Sequence, residues 1–276
     1  MNILVEFLSI ISDVILNLAI AFAAILIPIL LFNVLQKLFV TGIKNRPGLM
    51  LRLIGLLAVP IHELSHAFMC IIFKHKIDKV VLFNLTCSNK ALGYVEHRYS
   101  PTSAFQLIGC FFIGIAPIFG GLFAISLLTI GMLDNGHQWL LELTSIGAAL
   151  RIESPIDIIL LSQSCFASTI QLITVEFNSN SLMTIFWFML VASIGLYLSP
   201  SKADLQGSLK GFIVIIIGLV SIQCFTSTQL NFTFIEAMLI PLSTILTMTL
   251  CLSLALFVLT IAISTIISHL FTSKRN

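Results

Sequence analysis

Between Leu53 and Phe73 the chain stays apolar over a length that crosses a bilayer, and His62, Glu63 and His66 stand near the middle of that run. A segment in hydrocarbon must satisfy its own backbone, so the run is predicted to be a helix. Each ionisable side chain at such depth costs about 2.5–3.5 kcal/mol on insertion scales. Three of them within five positions therefore need a metal, water or protein partners.

The rest of the sequence supplies the same surroundings. Apolar residues make up 58% and charged residues only 9%, where soluble domains carry about a quarter charged, so this is a polytopic membrane protein. The net charge of +2 is too small to suggest nucleic acid as a partner, and the lipid bilayer is the expected environment. Cys70, Cys87, Cys110, Cys165, Cys224 and Cys251 show no CxxC spacing and read as small buried hydrophobes. The apolar N-terminus carries Glu6 and Asp13 without a basic n-region, so it is predicted to be retained as the first membrane segment.

About six hydrophobic segments are predicted: within Ile15 to Val40, Leu53 to Phe73, Ala104 to Leu133, Leu182 to Leu198, Leu209 to Phe225, and about Ile235 to Phe271. Ile156 to Val175 is apolar but interrupted by Asp157, Gln163 and Gln171, which leaves open whether it spans or lies at the interface. After the pentad helix, Lys79 to Phe83 and Gly93 to His97 read as two short strands around a Ser88-Asn89-Lys90 turn. The expected fold class is thus all-α and polytopic, with a small β-hairpin following the His62–His66 helix. One membrane-embedded domain is expected over 1–276, with a core at about 53–225 and peripheral segments at 1–52 and 235–271. Gly109, Gly114, Gly120 and Gly121 with Pro117 suit close helix packing in the third segment.

Loop charge orients the segments. Lys274 and Arg275 favour a cytoplasmic tail, the Lys- and Arg-free loop from Thr226 to Phe234 goes outside, and Lys202 and Lys210 put the next loop inside. That order also puts the basic hairpin region inside, but it places the Lys37 to Arg52 stretch outside, against the rule; a hairpin-like first segment or a surface-lying Gly48 to Arg52 would resolve this.

The chemistry of the pentad follows from helix geometry. Residues four apart share a face, so His62 and His66 can offer imidazole nitrogens to one zinc ion while Glu63 is turned toward a water on that ion. Zinc lowers the pKa of such a water, and Glu63 can act as its general base. A third ligand is needed. Asp204 is the first choice, because Pro200 and Gly207 flank it and permit an irregular backbone; Asp157, His97 and His75 are the alternatives, the two histidines reading as exposed loop residues.

Ile61-His62-Glu63-Leu64-Ser65-His66-Ala67, the strand-like insert, the Gly-rich third segment and the late Pro200-x-x-x-Asp204-x-x-Gly207 element resemble the site-2 protease family of intramembrane zinc metallopeptidases. The resemblance covers roughly Leu53 to Phe225. It implies a zinc site sunk in the membrane from the cytoplasmic side, cleavage of a transmembrane protein substrate, and His62, His66 and Asp204 as ligands with Glu63 catalytic. The chain departs from the family in two places: no Asn-Pro precedes the acid, and Leu205 stands where the family has Gly. A divergent, minimal member of a bacterial inner membrane is the expectation, with its C-terminus cytoplasmic. The rival class is a membrane scaffold or transporter subunit with a structural metal, which four protein ligands would mark.

Overall fold

The computed structural model describes residues 3–42, 47–84, 92–149, 155–226 and 233–272. The chain is an all-α membrane protein with one small hairpin. Its elements in order are α1 (Ile3–Gly42), α2 (Pro47–Ile72), β1 (Lys76–Val81), β2 (Tyr94–Arg98), α3 (Ala104–Met132), α4 (Gly136–Ala149), α5 (Pro155–Ser179), α6 (Ser181–Leu196), α7 (Lys202–Thr226) and α8 (Thr233–Thr272).

Among the described residues, 5 helical stretches are long and apolar enough to cross a membrane: Arg52–Ile72, Ala104–Met132, Ile159–Ser179, Lys202–Thr226 and Met238–Ala262. The interrupted stretch in α5 is therefore one continuous helix of spanning length. A serine or threonine in a helix can return its O–H to the carbonyl four residues back, as Thr169 does to Cys165 at 2.7 Å and Thr174 to Ile170 at 2.8 Å, although the buried Ser168 hydroxyl has no partner among the described residues. The Leu182 to Leu198 segment differs from expectation in the other sense. It forms α6, only 16 residues long, and Val191 to Leu196 are all buried. Its first half still exposes Leu182, Ile185 and Phe186, and hydropathy does not separate that half from the protein-covered one, so it overstates the helix's reach.

Pro47 opens α2 at the first helical position, where its missing N–H has no partner to lose. The helix already includes Gly48 to Arg52, so these residues do not form a separate surface segment; Lys44 and Arg46 lie outside the described residues. At its other end α2 closes with a Schellman cap. Lys74 adopts φ 57°, its N–H bonds the Ile71 carbonyl at 3.1 Å, and the His75 N–H reaches back to the Cys70 carbonyl at 2.8 Å. The chain reverses there and enters β1, so the strand begins at Lys76, earlier than the sequence suggests. β1 and β2 pair antiparallel with Val80 opposite Val95, and a bulge lies between Ile77 and Lys79. The Ser88-Asn89-Lys90 turn lies outside the described residues. Arg98 holds Asp78 by two bonds of 2.6 Å, and that hydrogen bonding keeps the Asp78 carboxyl below the usual carboxylate range.

The core gathers Phe32, Ile125, Leu143, Trp187, Leu246 and Met248 from five helices, all essentially without solvent contact. Of its two indoles, Trp187 donates its N–H to Thr129 Oγ1 at 3.0 Å, while the Trp139 N–H is buried without a partner among the described residues. Glu176, buried in α5, accepts from the Asn135 N–H at 2.8 Å and the Asp134 N–H at 3.2 Å, and so satisfies the connection between α3 and α4. The third segment's glycines act as the sequence suggests. A Cβ on Gly114 would collide with the Ser208 hydroxyl and lie 2.5 Å from the Asp204 carbonyl, and one on Gly120 would strike Ser65 Oγ. α3 thus lies close against both α2 and α7, which brings the pentad and Asp204 to the same place.

Candidate metal centre

His62 and His66 project from one face of α2, as a spacing of four requires. Both rings are pinned by backbone carbonyls from other elements: His62 Nδ1 lies 2.8 Å from the Tyr197 oxygen and His66 Nδ1 lies 2.7 Å from the Ile113 oxygen. A carbonyl can only accept, so each Nδ1 carries a proton, and Nε2 is the ring nitrogen left to face away from the anchor toward a ligand. The two Nε2 atoms lie 3.2 Å apart.

Asp204 completes the group. Its Oδ1 is 3.5 Å from His66 Nε2 and its Oδ2 is 3.8 Å from His62 Nε2. The sequence placed this acid on an irregular break, and the structure corrects that: Asp204 sits inside the first turn of α7, and Gly207 continues the helix with nothing within 4 Å of where its Cβ would be. The first turn is fixed by a capping box. Ser201 Oγ accepts the Asp204 N–H at 3.2 Å while Asp204 Oδ2 accepts the Ser201 N–H at 2.7 Å. The helix N-terminus also favours a negative charge at this position.

Two ring nitrogens and a carboxylate therefore converge on one point, and a bound cation would satisfy all three. Ligand bonds of about 2.0–2.2 Å in a tetrahedral site give ligand-to-ligand edges of about 3.3–3.6 Å. The observed 3.2, 3.5 and 3.8 Å bracket those values, and the rings' outer N–H groups are anchored in the way metal-bound imidazoles are. The residues fit a metal ion.

These three donors line a cavity of about 410 Å³ together with Glu63, His97 and Tyr99. Glu63 is buried, at 7% exposure, one residue from His62, and the hairpin closes over it: a Cβ on Gly93 would come within 2.7 Å of Glu63 Cγ. No protein-family model, curated protein or solved structure matches this chain. The centre therefore stands on its own chemistry.

Of the alternative ligands, Asp157 lies in the first turn of α5 and belongs to neither candidate group. His75 and His97 are not exposed loop residues. His75 is buried, at 6% exposure, and both meet Cys70 in a separate cluster. The sequence offered one signal for this that went unread: Cys70 continues the His62, His66 stripe one turn further along α2.

Proposed function

We propose that this chain is an intramembrane zinc metalloprotease, a divergent and minimal relative of the site-2 proteases. The observation that carries the reading is the convergence of His62 Nε2, His66 Nε2 and the Asp204 carboxylate on one point, beside Glu63, midway along a membrane-length helix. Among the described residues the metal group has three protein members, as a site that keeps a position for water does, where a structural zinc would take four.

Bound zinc would act as a Lewis acid that lowers the pKa of a water and polarises the scissile carbonyl. The chain's own residues do the rest. Tyr197 and Ile113 hold the imidazoles in the tautomer that binds metal, Ser201 holds the carboxylate, and Glu63 takes a proton from the attacking water and returns it to the leaving nitrogen. β2 lines the same cavity, where a strand edge can receive an extended substrate by strand addition. The substrate class is a transmembrane protein whose helix has locally unwound.

Purified protein in detergent is expected to cleave such a substrate, to stop when the metal is chelated, and to resume when zinc is returned. Cleavage that continues in a chelator, with no metal left on the protein, contradicts the reading. The Lys and Arg of the C-terminal loops support a cytoplasmic C-terminus, and a bacterial plasma membrane is what the site-2 protease resemblance implies. In a chain whose exposed native cysteines are replaced by serine, a cysteine at Asn89 should label from the cytoplasmic side and one at Asn231 from the other; the reverse pattern inverts the map.

A further inference from the structure

One turn beyond His66, α2 buries Cys70 completely. The Schellman cap then folds the chain back so that His75 lies beside Cys70, and the pairing of β1 with β2 carries His97 to the same spot, opposite Ile77. Each of the three offers one donor atom, and these atoms all lie within 4.8 Å of one another.

The orientation of His75 is fixed from outside. Its Nε2 lies 2.8 Å from the Gln106 carbonyl oxygen, so Nε2 carries the proton and Nδ1 is a bare lone pair. That lone pair faces His97 Nδ1 at 3.0 Å, and Tyr99 stacks on the His75 ring with centroids 5.3 Å apart. Gly109 leaves the space the ring occupies, since a Cβ there would lie 3.0 Å from His75 Nε2. Two of the three residues are buried and the third is half-buried, and one imidazole is anchored to a carbonyl as a metal-bound ring is.

We propose that Cys70, His75 and His97 form a second metal site, for a borderline-soft divalent ion of the zinc class. One thiolate and two imidazoles are a donor set that such an ion accepts and that calcium or magnesium does not. With sulfur at about 2.3 Å and nitrogen at about 2.0–2.1 Å, tetrahedral edges are about 3.3–3.7 Å, so the cluster needs to close by little more than an ångström at most. Binding displaces the Cys70 thiol proton to solvent, while the His97 proton passes from Nδ1 to Nε2. The ion ties the end of α2 to the hairpin, and the hairpin is what closes over Glu63 at Gly93. Its role is to hold that cover in place. The proposal does not depend on proteolysis.

Cobalt(II) separates the two sites, because the first has no sulfur. Full-length protein titrated with cobalt(II) should show a sulfur-to-cobalt charge-transfer band in the near ultraviolet. The band should survive in the His62→Ala, His66→Ala double variant and disappear in Cys70→Ser. Because Cys70 is buried and its replacement can disturb folding, His97→Ala on the hairpin is the second variant, and it too should lose the band. Zinc analysis should give two equivalents for the wild type and one for each site knocked out. Absence of the band in folded wild-type protein, or its persistence in Cys70→Ser, overturns the proposal, whatever the outcome at the first site.

Discussion

Glu63→Gln is expected to keep its zinc and to lose cleavage by at least about 100-fold, the usual scale for removing a general base. The two halves of that result come from different features. The metal group consists of His62, His66 and Asp204, so an amide in place of the Glu63 carboxylate removes no ligand. Glutamine matches glutamate in shape, and the side chain lies buried against the cavity under Gly93, so packing is kept. What is lost is the ability to hold and return a proton. Metal content and turnover, measured on the same preparation against a transmembrane substrate, give the comparison. Undiminished proteolysis would remove Glu63 from the mechanism, and loss of zinc would move it into the metal group.

Asp204→Ala is expected to lose zinc, by more than the roughly 10–100-fold that even an outer hydrogen-bond partner of a metal ligand is worth. Asp157→Ala, on the first turn of α5, should leave zinc content unchanged. Alanine also removes the acceptor for the Ser201 N–H, a hydrogen bond worth about 0.5–1.5 kcal/mol, so a second variant separates the roles. Asp204→Asn keeps an oxygen for the cap and removes the negative charge. It should therefore fold like the wild type and still bind zinc poorly. Wild-type zinc content in both variants would show that the ion is held elsewhere.

How far the sequence could be read depended on the range of the interactions. The pentad is local: a spacing of four on a membrane-length helix puts His62 and His66 on one face whatever the rest of the chain does. Asp204 was legible by depth and charge, but for the wrong local reason. Its neighbours Ser201 and Pro200 make a capped helix start and not a broken one, and a reciprocal Ser–Asp pair three residues apart is the pattern that signals it. The hairpin was legible as two strands, but its start was not, because a left-handed Lys74 is rarely anticipated from sequence. Cys70, His75 and His97 were read separately as filler and loop because their meeting depends on pairing over 22 residues. The short α6 read as a full span because hydropathy cannot tell its protein-covered second half from a face made for lipid.

The anchors on the first site have a kinetic consequence. Tyr197 and Ile113 grip the far sides of the two imidazoles and Ser201 grips the Asp204 carboxylate, all through backbone atoms, at the end of α6, in the middle of α3 and at the start of α7. None of those grips involves the ion. The donors therefore stand at their spacing as a property of the packed bundle, unlike small zinc modules that assemble only around their metal. Loading the centre is then a matter of passage through the cavity and not of refolding, so the rate of exchange is set by the route that water and ions take to reach it.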